Sequence, residues 1–178
     1  AMAGCGSYSK IEGFGFIPVT CFSQALTTFI GQNLGAKEYD RAKKGALFGT
    51  ICGIGIAEVI GIAVFFFSPY LIAAFGGDQR AIEYGIAEAH TIALFYCLLA
   101  FSHCMAAIQR GAGRSIVPMF VMMIVWCGVR VTYISIVIRI IPVINVIYWA
   151  YPLTWFISSV IFLILFLKTD WIHGLEKQ

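Results

Sequence analysis

From Gly45 to Phe67 the chain carries one charged side chain, Glu58, in an otherwise apolar run. About 20 such residues, wound as a helix, match the thickness of a bilayer's hydrocarbon core. Four further runs share this character, and together they place spans over about 1–33, 45–67, 85–108, 115–138 and 143–167. Lipid cannot hydrogen-bond a backbone, so each run must close its amide bonds within its own helix. The expected fold class is an all-α membrane protein of five transmembrane helices. Composition agrees: of 178 residues, 60% are hydrophobic and 12% charged, against about 25% charged in a soluble domain.

Turn chemistry separates the runs. Gly31, Asn33 and Gly35 read as the end of the first helix, because glycine and asparagine accept the left-handed cap conformation. Ser68-Pro69 and Gly76-Gly77-Asp78 interrupt the chain after the second run, and Gly111-Ala112-Gly113 after the third. Ser115 is placed to cap the fourth helix, with Pro118 in its first turn. Pro142 and Asn145 mark the last turn.

Basic residues assign the sides. Lys37, Arg41, Lys43 and Lys44 follow the first span, Arg110 and Arg114 the third, and Lys168 and Lys177 the fifth; alternation puts all of them on one side. The other side has only Lys10, Arg80 and Arg139. Positive residues accumulate in the cytoplasm, so the N-terminus is expected outside and the C-terminus inside. Between Lys37 and Lys44 the pairs Glu38/Arg41 and Asp40/Lys44 suit one helical face. They allow either a short helix on the cytoplasmic membrane surface, against anionic lipid heads, or a plain solvated loop.

Several classes are set aside. A net charge of +3, without a basic helix, zinc pair or aromatic-basic platform, does not fit nucleic-acid binding. Cys5, Cys21, Cys52, Cys97, Cys104 and Cys127 form no CxxC pair and read as small apolar residues rather than disulfides or metal ligands. Gly-x-Ser-x-Gly and His-Glu-x-x-His strings are absent, and His90 and His103 fall on different faces, so neither an enzyme nor a metal site is expected. Ala1-Met2-Ala3-Gly4 opens without a signal-peptide n-region and inside a helix already under way, as expected of a piece of a longer protein.

Two strings carry a family resemblance. Phe29-Ile30-Gly31-Gln32-Asn33-Leu34-Gly35-Ala36, with Tyr39-Asp40-Arg41-Ala42, resembles the loop motif after the second helix of the C-terminal half of multidrug and toxic compound extrusion (MATE) transporters. Gln109-Arg110-Gly111-Ala112-Gly113-Arg114-Ser115-Ile116-Val117-Pro118-Met119 resembles the turn between the fourth and fifth helices of that half. Ser9-Lys10-Ile11-Glu12, Cys127-Gly128-Val129-Arg130 and Tyr151-Pro152-Leu153-Thr154-Trp155 follow in the family's order. The resemblance implies a twelve-helix fold of two lobes facing a central cavity. Residues 1–178 would then be a partial C-terminal lobe, helices eight to twelve, whose missing partners are helix seven and the N-terminal lobe. It implies export of organic, often cationic, drugs in exchange for protons or sodium ions, by rocking of the lobes in the cell membrane. No cofactor is implied beyond the coupling ion, and the partners are the bilayer and small organic cations. The alternative is a flippase for a lipid-linked precursor from a related superfamily, which needs a strongly cationic cavity; few cations lie within these spans.

Ionisable groups within a membrane are costly and usually face a cavity or a partner. Glu12 stands first: at 100° per residue it shares an arc of about 80° with Thr20, Ser23 and Thr27, and Pro18 in the same helix removes a backbone hydrogen bond. Either Glu12 takes a proton, a sodium ion or a cationic substrate, or it snorkels with Lys10 to the outer interface. Tyr96, His103 and Arg110 recur every seven residues, which makes either a cavity wall with a histidine relay or a packing face. Some MATE proteins carry an acidic cation-binding residue on this helix; here its membrane core has none, and Glu88 lies near the outer end. Glu58 reads as structural, and Arg130, which cannot readily lose its charge, as an internal tether to Glu12 or Glu58. Tyr148, Tyr151, Trp155 and Ser159 form one face, lining the cavity or joining an interfacial belt. Gly49, Gly53, Ala57 and Gly61 form a small-residue ridge for close helix packing.

Overall fold

A residue that winds into a helix in lipid satisfies its own backbone, and that rule accounts for nearly every residue here. A computed structural model describes residues 2–75, 78–141 and 143–172. Gly76, Gly77, Pro142 and Lys177, used above for turns and tail, lie outside the described residues. Five helices long and apolar enough to cross a membrane follow one another: α1 (Met2–Gly35), α2 (Tyr39–Ala74), α3 (Gln79–Gly111), α4 (Ile116–Ile140) and α5 (Asn145–Lys168). α3 is the most buried of the five and α4 the least. α3 touches all four others, so it is the axis of the bundle.

The helices overrun the apolar stretches that announce them. α2 begins at Tyr39 and is continuous, so the segment from Tyr39 to Lys44 is neither a separate surface helix nor a solvated loop but the first turns of a span. α1 likewise continues through Gly31, Asn33 and Gly35. The left-handed residue that ends it is Lys37, at φ 61°. The Glu38 N–H bonds the Asn33 carbonyl at 2.8 Å and the Lys37 N–H that of Leu34 at 3.0 Å, the paired bonds of a Schellman cap. The same cap closes α3, where Gly113 sits at φ 79°, Arg114 N–H bonds the Gln109 carbonyl at 2.9 Å and Gly113 N–H that of Arg110 at 3.0 Å. Ser115 stands at the N-cap of α4 but makes no side-chain cap bond.

These two caps meet. A Cβ on Gly31 would touch the Gly111 carbonyl at 3.4 Å, and one on Gly111 would press on the Thr27 carbonyl at 2.7 Å and on Ile30. The two motif strings are therefore where α1 and α3 come backbone to backbone. Arg114 donates to the Asp170 carbonyl at 2.9 Å, tying the segment after α5 to the same end. Lys37, Arg41, Lys43, Lys44, Arg110, Arg114 and Lys168 thus share one end of the bundle. At the other, Lys10 lies over the Phe75 ring, 5.5 Å from its centroid.

Two buried clusters stack along the axis. One, around Tyr8, Ile92, Tyr96 and Leu99, fills the half away from the basic end; the other, around Ile30, Ala106, Ile108 and Phe162, fills the basic half. Gly49, Gly53, Ala57 and Gly61 are all buried along one line of α2. Leu26 of α1 fills the space at Gly49, and Cys104 of α3 that at Gly53. The Ala93 carbonyl of α3 occupies the space at Gly61, where α3 tightens into a 3-10 turn over Ala93–Phe95. All six cysteines are free, and only Cys104 is buried.

Because the Ala93 carbonyl is backbone, Gly61→Ala should lower the unfolding midpoint in detergent, at a cost of about 1–3 kcal/mol. Gly55→Ala, whose new Cβ meets nothing within 4 Å, should leave the midpoint unchanged or raise it, since alanine favours the helix by about 1 kcal/mol. Equal midpoints for the two variants, measured by thermal unfolding, would contradict the close approach at Gly61.

Candidate functional site

Glu12, Arg130 and Trp155 each lie about ten residues from the helix end opposite the basic one, or about 15 Å along their helices at 1.5 Å per residue. Equal depth on α1, α4 and α5 lets them face one space. They line a cavity of about 290 Å³ together with Ser9, Gly13, Phe16, Leu99, Trp126 and Tyr151. The i, i+3, i+4 spacing of Ser9, Glu12, Gly13 and Phe16 puts them on one face of α1. The cavity holds one carboxylate, one guanidinium and four aromatic side chains.

Arg130 is fixed by α5. It donates to Thr154 Oγ1 at 2.8 Å, and Thr154 in turn donates to the Ala150 and Tyr151 carbonyls at 2.9 and 3.0 Å. Its guanidinium lies 4.2 Å from the centroid of Tyr151 and 5.7 Å from that of Trp126, within the range of cation–π attraction. The expected tether to Glu12 or Glu58 is not made: among the described residues no carboxylate stands within ion-pairing distance of Arg130. The reason is local. Thr154 and Tyr151 are presented three residues apart on the facing helix, closer than either carboxylate. Trp126 belongs to a π-helical stretch, Met123–Val129, that immediately precedes Arg130.

The other sequence candidates divide. Of the stripe Glu12, Thr20, Ser23 and Thr27, only Glu12 reaches the cavity. The hydroxyls of Thr20, Ser23 and Thr27 bond their own helix at the carbonyls of Ile17, Thr20 and Ser23. Tyr96 and His103 pack on α1 instead of lining the cavity. The Tyr96 hydroxyl meets that of Tyr8 at 3.1 Å. The His103 ring stands edge-on to Phe16 at 5.0 Å and to Trp126 at 5.5 Å, behind two wall residues, with Nε2 buried and unbonded. Arg110 lies half-buried at the basic end. Tyr148 is buried and donates to the Tyr84 carbonyl at 3.1 Å. Glu58 keeps a buried, unbonded Oε2, on a helix that contributes nothing to the cavity. Among the loop residues, Asn33 donates to the Phe29 carbonyl at 2.7 Å, while Gln32, Gly35 and Arg41 are exposed.

Sequence reasoning missed Ser9, Gly13, Phe16, Leu99 and Trp126. Ser9 and Gly13 could have been found as the polar and small neighbours of Glu12 on its own face. Trp126 carried a signal too, an aromatic four residues before an intramembrane arginine. Behind the wall, Ser102, Ser158 and Ser159 join α3 to α5 through hydroxyl contacts of 3.0 Å. Trp126 Nε1 donates to Ser158 at 3.4 Å, which orients the indole. Among the described residues no group of His, Cys, Asp and Glu is arranged to hold a metal ion.

Comparison with known proteins adds to this geometry. The family model MatE matches residues 1–136, from the start of α1 to within one turn of the end of α4. A protein of Thermotoga maritima described as "Probable multidrug resistance protein NorM" is 28% identical over 132 residues, covering 70% of this chain and 28% of that protein. One of Shewanella oneidensis described as "FAD transporter" is 31% identical over 84 residues, covering 47% of this chain and 19% of that protein. The chain thus spans less than a third of the length of the relatives it matches.

Thr154→Val keeps the shape of α5 but deprives Arg130 of its acceptor. The lost charge-assisted bond should cost about 1.5–3 kcal/mol, read as a lower thermal midpoint in detergent. An unchanged midpoint would show that Arg130 is held by the aromatic rings alone.

Proposed function

Because the chain belongs to the MATE family, we propose that it is part of a secondary transporter that exports small organic cations in exchange for protons or sodium ions. The observation that carries this reading is Glu12 beside Phe16, Trp126, Tyr151 and Trp155 in one cavity at the depth of the membrane core. A carboxylate in such a place can hold a proton, a sodium ion or an organic cation, but one at a time. That exclusion is the physical content of antiport: the arriving ion displaces the departing cation. The aromatic faces attract organic cations through their quadrupoles and offer apolar surface to their rings. The description of one relative, a multidrug resistance protein, fits organic drugs as cargo.

The rest of the machine follows as part of the same reading. A second helical lobe, with a further helix before α1, would close the cavity from the side that α1 and α4 leave open. Rocking of the two lobes would expose Glu12 to each face of the membrane in turn. The protein is a multi-pass membrane protein; we place it in the cell membrane with the basic end of the bundle in the cytoplasm. The lipid-linked flippase alternative asks for several cations around a pyrophosphate, and the cavity offers only Arg130.

In the complete transporter, Glu12→Gln should reduce efflux of ethidium from intact cells about ten-fold or more while membrane levels stay as in wild type. Efflux that persists at the wild-type rate would remove Glu12 from the ion path. Orientation has its own check. In a cysteine-free background, Lys37→Cys should resist a membrane-impermeant maleimide added outside, and Arg80→Cys should react. The reverse pattern would invert the topology.

A further inference from the structure

Pro69 breaks the backbone ladder of α2 near the end away from the basic residues. A proline has no N–H, so the carbonyl four residues back loses its helical donor. For Pro69 that carbonyl belongs to Phe65, and two side chains replace the missing donor. His90 of α3 reaches it with Nε2 at 3.1 Å, and Ser68 of α2 donates to it through Oγ at 3.2 Å. A carbonyl only accepts, so the His90 Nε2 carries a proton and donates. The imidazole also stacks on the Phe65 ring, with centroids 4.3 Å apart and planes inclined by 28°. Every group in this contact belongs to α2 or α3, which pack directly on each other.

The two donors differ in what they hold. Ser68 sits on α2 and satisfies the carbonyl without fixing the helix to anything. His90 sits on another helix, so its bond also ties α2 to α3 at the break. A carbonyl has two lone pairs and takes both. If His90 withdraws, Ser68 still covers the oxygen. Parting then costs one hydrogen bond rather than a buried, unsatisfied acceptor. Beyond the break, Ile72 packs in the cluster with Tyr8 and Ile11, and Lys10 of α1 lies over the Phe75 ring.

We propose that residues 70–75 are a hinged end of α2, latched to α3 by His90 at the carbonyl that Pro69 frees, with Ser68 as the donor that stays when the latch opens. Opening would part the end of α2 from Tyr8, Lys10 and Ile11 on the outer turns of α1. The latch is independent of what the cavity between α1, α4 and α5 binds.

Hydrogen–deuterium exchange over residues 70–75, in the complete protein in lipid nanodiscs, tests this. His90→Phe keeps an aromatic ring against Phe65 and removes the donor. Exchange there should rise about three- to ten-fold, the worth of one hydrogen bond. Ser68→Ala should act in the opposite sense and slow exchange, because it leaves the carbonyl bare only in the open state. Pro69→Ala returns an N–H to the Phe65 carbonyl, and in that background His90→Phe should change exchange by about two-fold or less. A rise of equal size in both backgrounds would overturn the proposal, since His90 would then be a packing residue alone. No rise in the presence of Pro69 would do the same. Unchanged or faster exchange in Ser68→Ala would also sink it, and that sign decides the matter even if His90→Phe fails to fold.

Discussion

The backbone of this chain has no polar solvent over most of its length, and everything else follows from that constraint. Each amide must be satisfied inside its own helix, so the chain becomes five rods, and the side chains decide only how the rods meet. Without a hydrophobic drive between helices in lipid, close packing does that work. It concentrates where side chains vanish: Gly49, Gly53 and Gly61 on α2, and Gly31 against Gly111 where α1 meets α3. The family's two loop motifs look like punctuation on paper. In the fold they are mostly helix: Gly31 and Gly111 serve contact between helices, and Gly113 serves the turn.

The same scarcity of partners governs the polar side chains. Thr20, Ser23, Thr27, Thr50 and Thr154 all return a hydrogen bond to a carbonyl three or four residues back. A polar stripe on a membrane helix is thus not by itself a path for solutes. Glu12 has no such local option, because a carboxylate has no donor for a carbonyl when ionised. It therefore opens onto the cavity while its hydroxyl neighbours do not.

How much of this was legible depends on the range of the interaction. The five helices were, because lipid imposes them run by run. The extents of α1 and α2 were not, since polar residues from Tyr39 to Lys44 wind into the helix once it has begun, and Lys37 takes the left-handed position that glycine would be expected to hold. Glu12 and Trp155 were legible as cavity candidates through charge and aromaticity. The face Tyr96–His103–Arg110 was read correctly as a face, but periodicity cannot say what a face meets. Its upper two residues meet Tyr8 and Phe16 of α1. Arg130 was recognised as needing a partner, and Thr154 was invisible because nothing in the spacing of one helix names its neighbour.

One further regularity ties the cavity to the backbone. Each of the four helices that line it has a proline or a non-α turn close to its lining residues. α1 has Pro18 beside Phe16, and α3 tightens over Ala93–Phe95 one turn before Leu99. α4 widens into a π turn, Met123–Val129, that contains Trp126, and α5 has Pro152 next to Tyr151. α2 lines none of the cavity, and its single proline, Pro69, lies in its last turns. Broken backbone hydrogen bonds are costly in lipid and are tolerated where they face protein or a wet cavity, and π turns recur at functional sites. The irregularities therefore mark the same space that Glu12 and Arg130 mark by charge. The backbone and the side chains thus mark the same space by two independent kinds of expense.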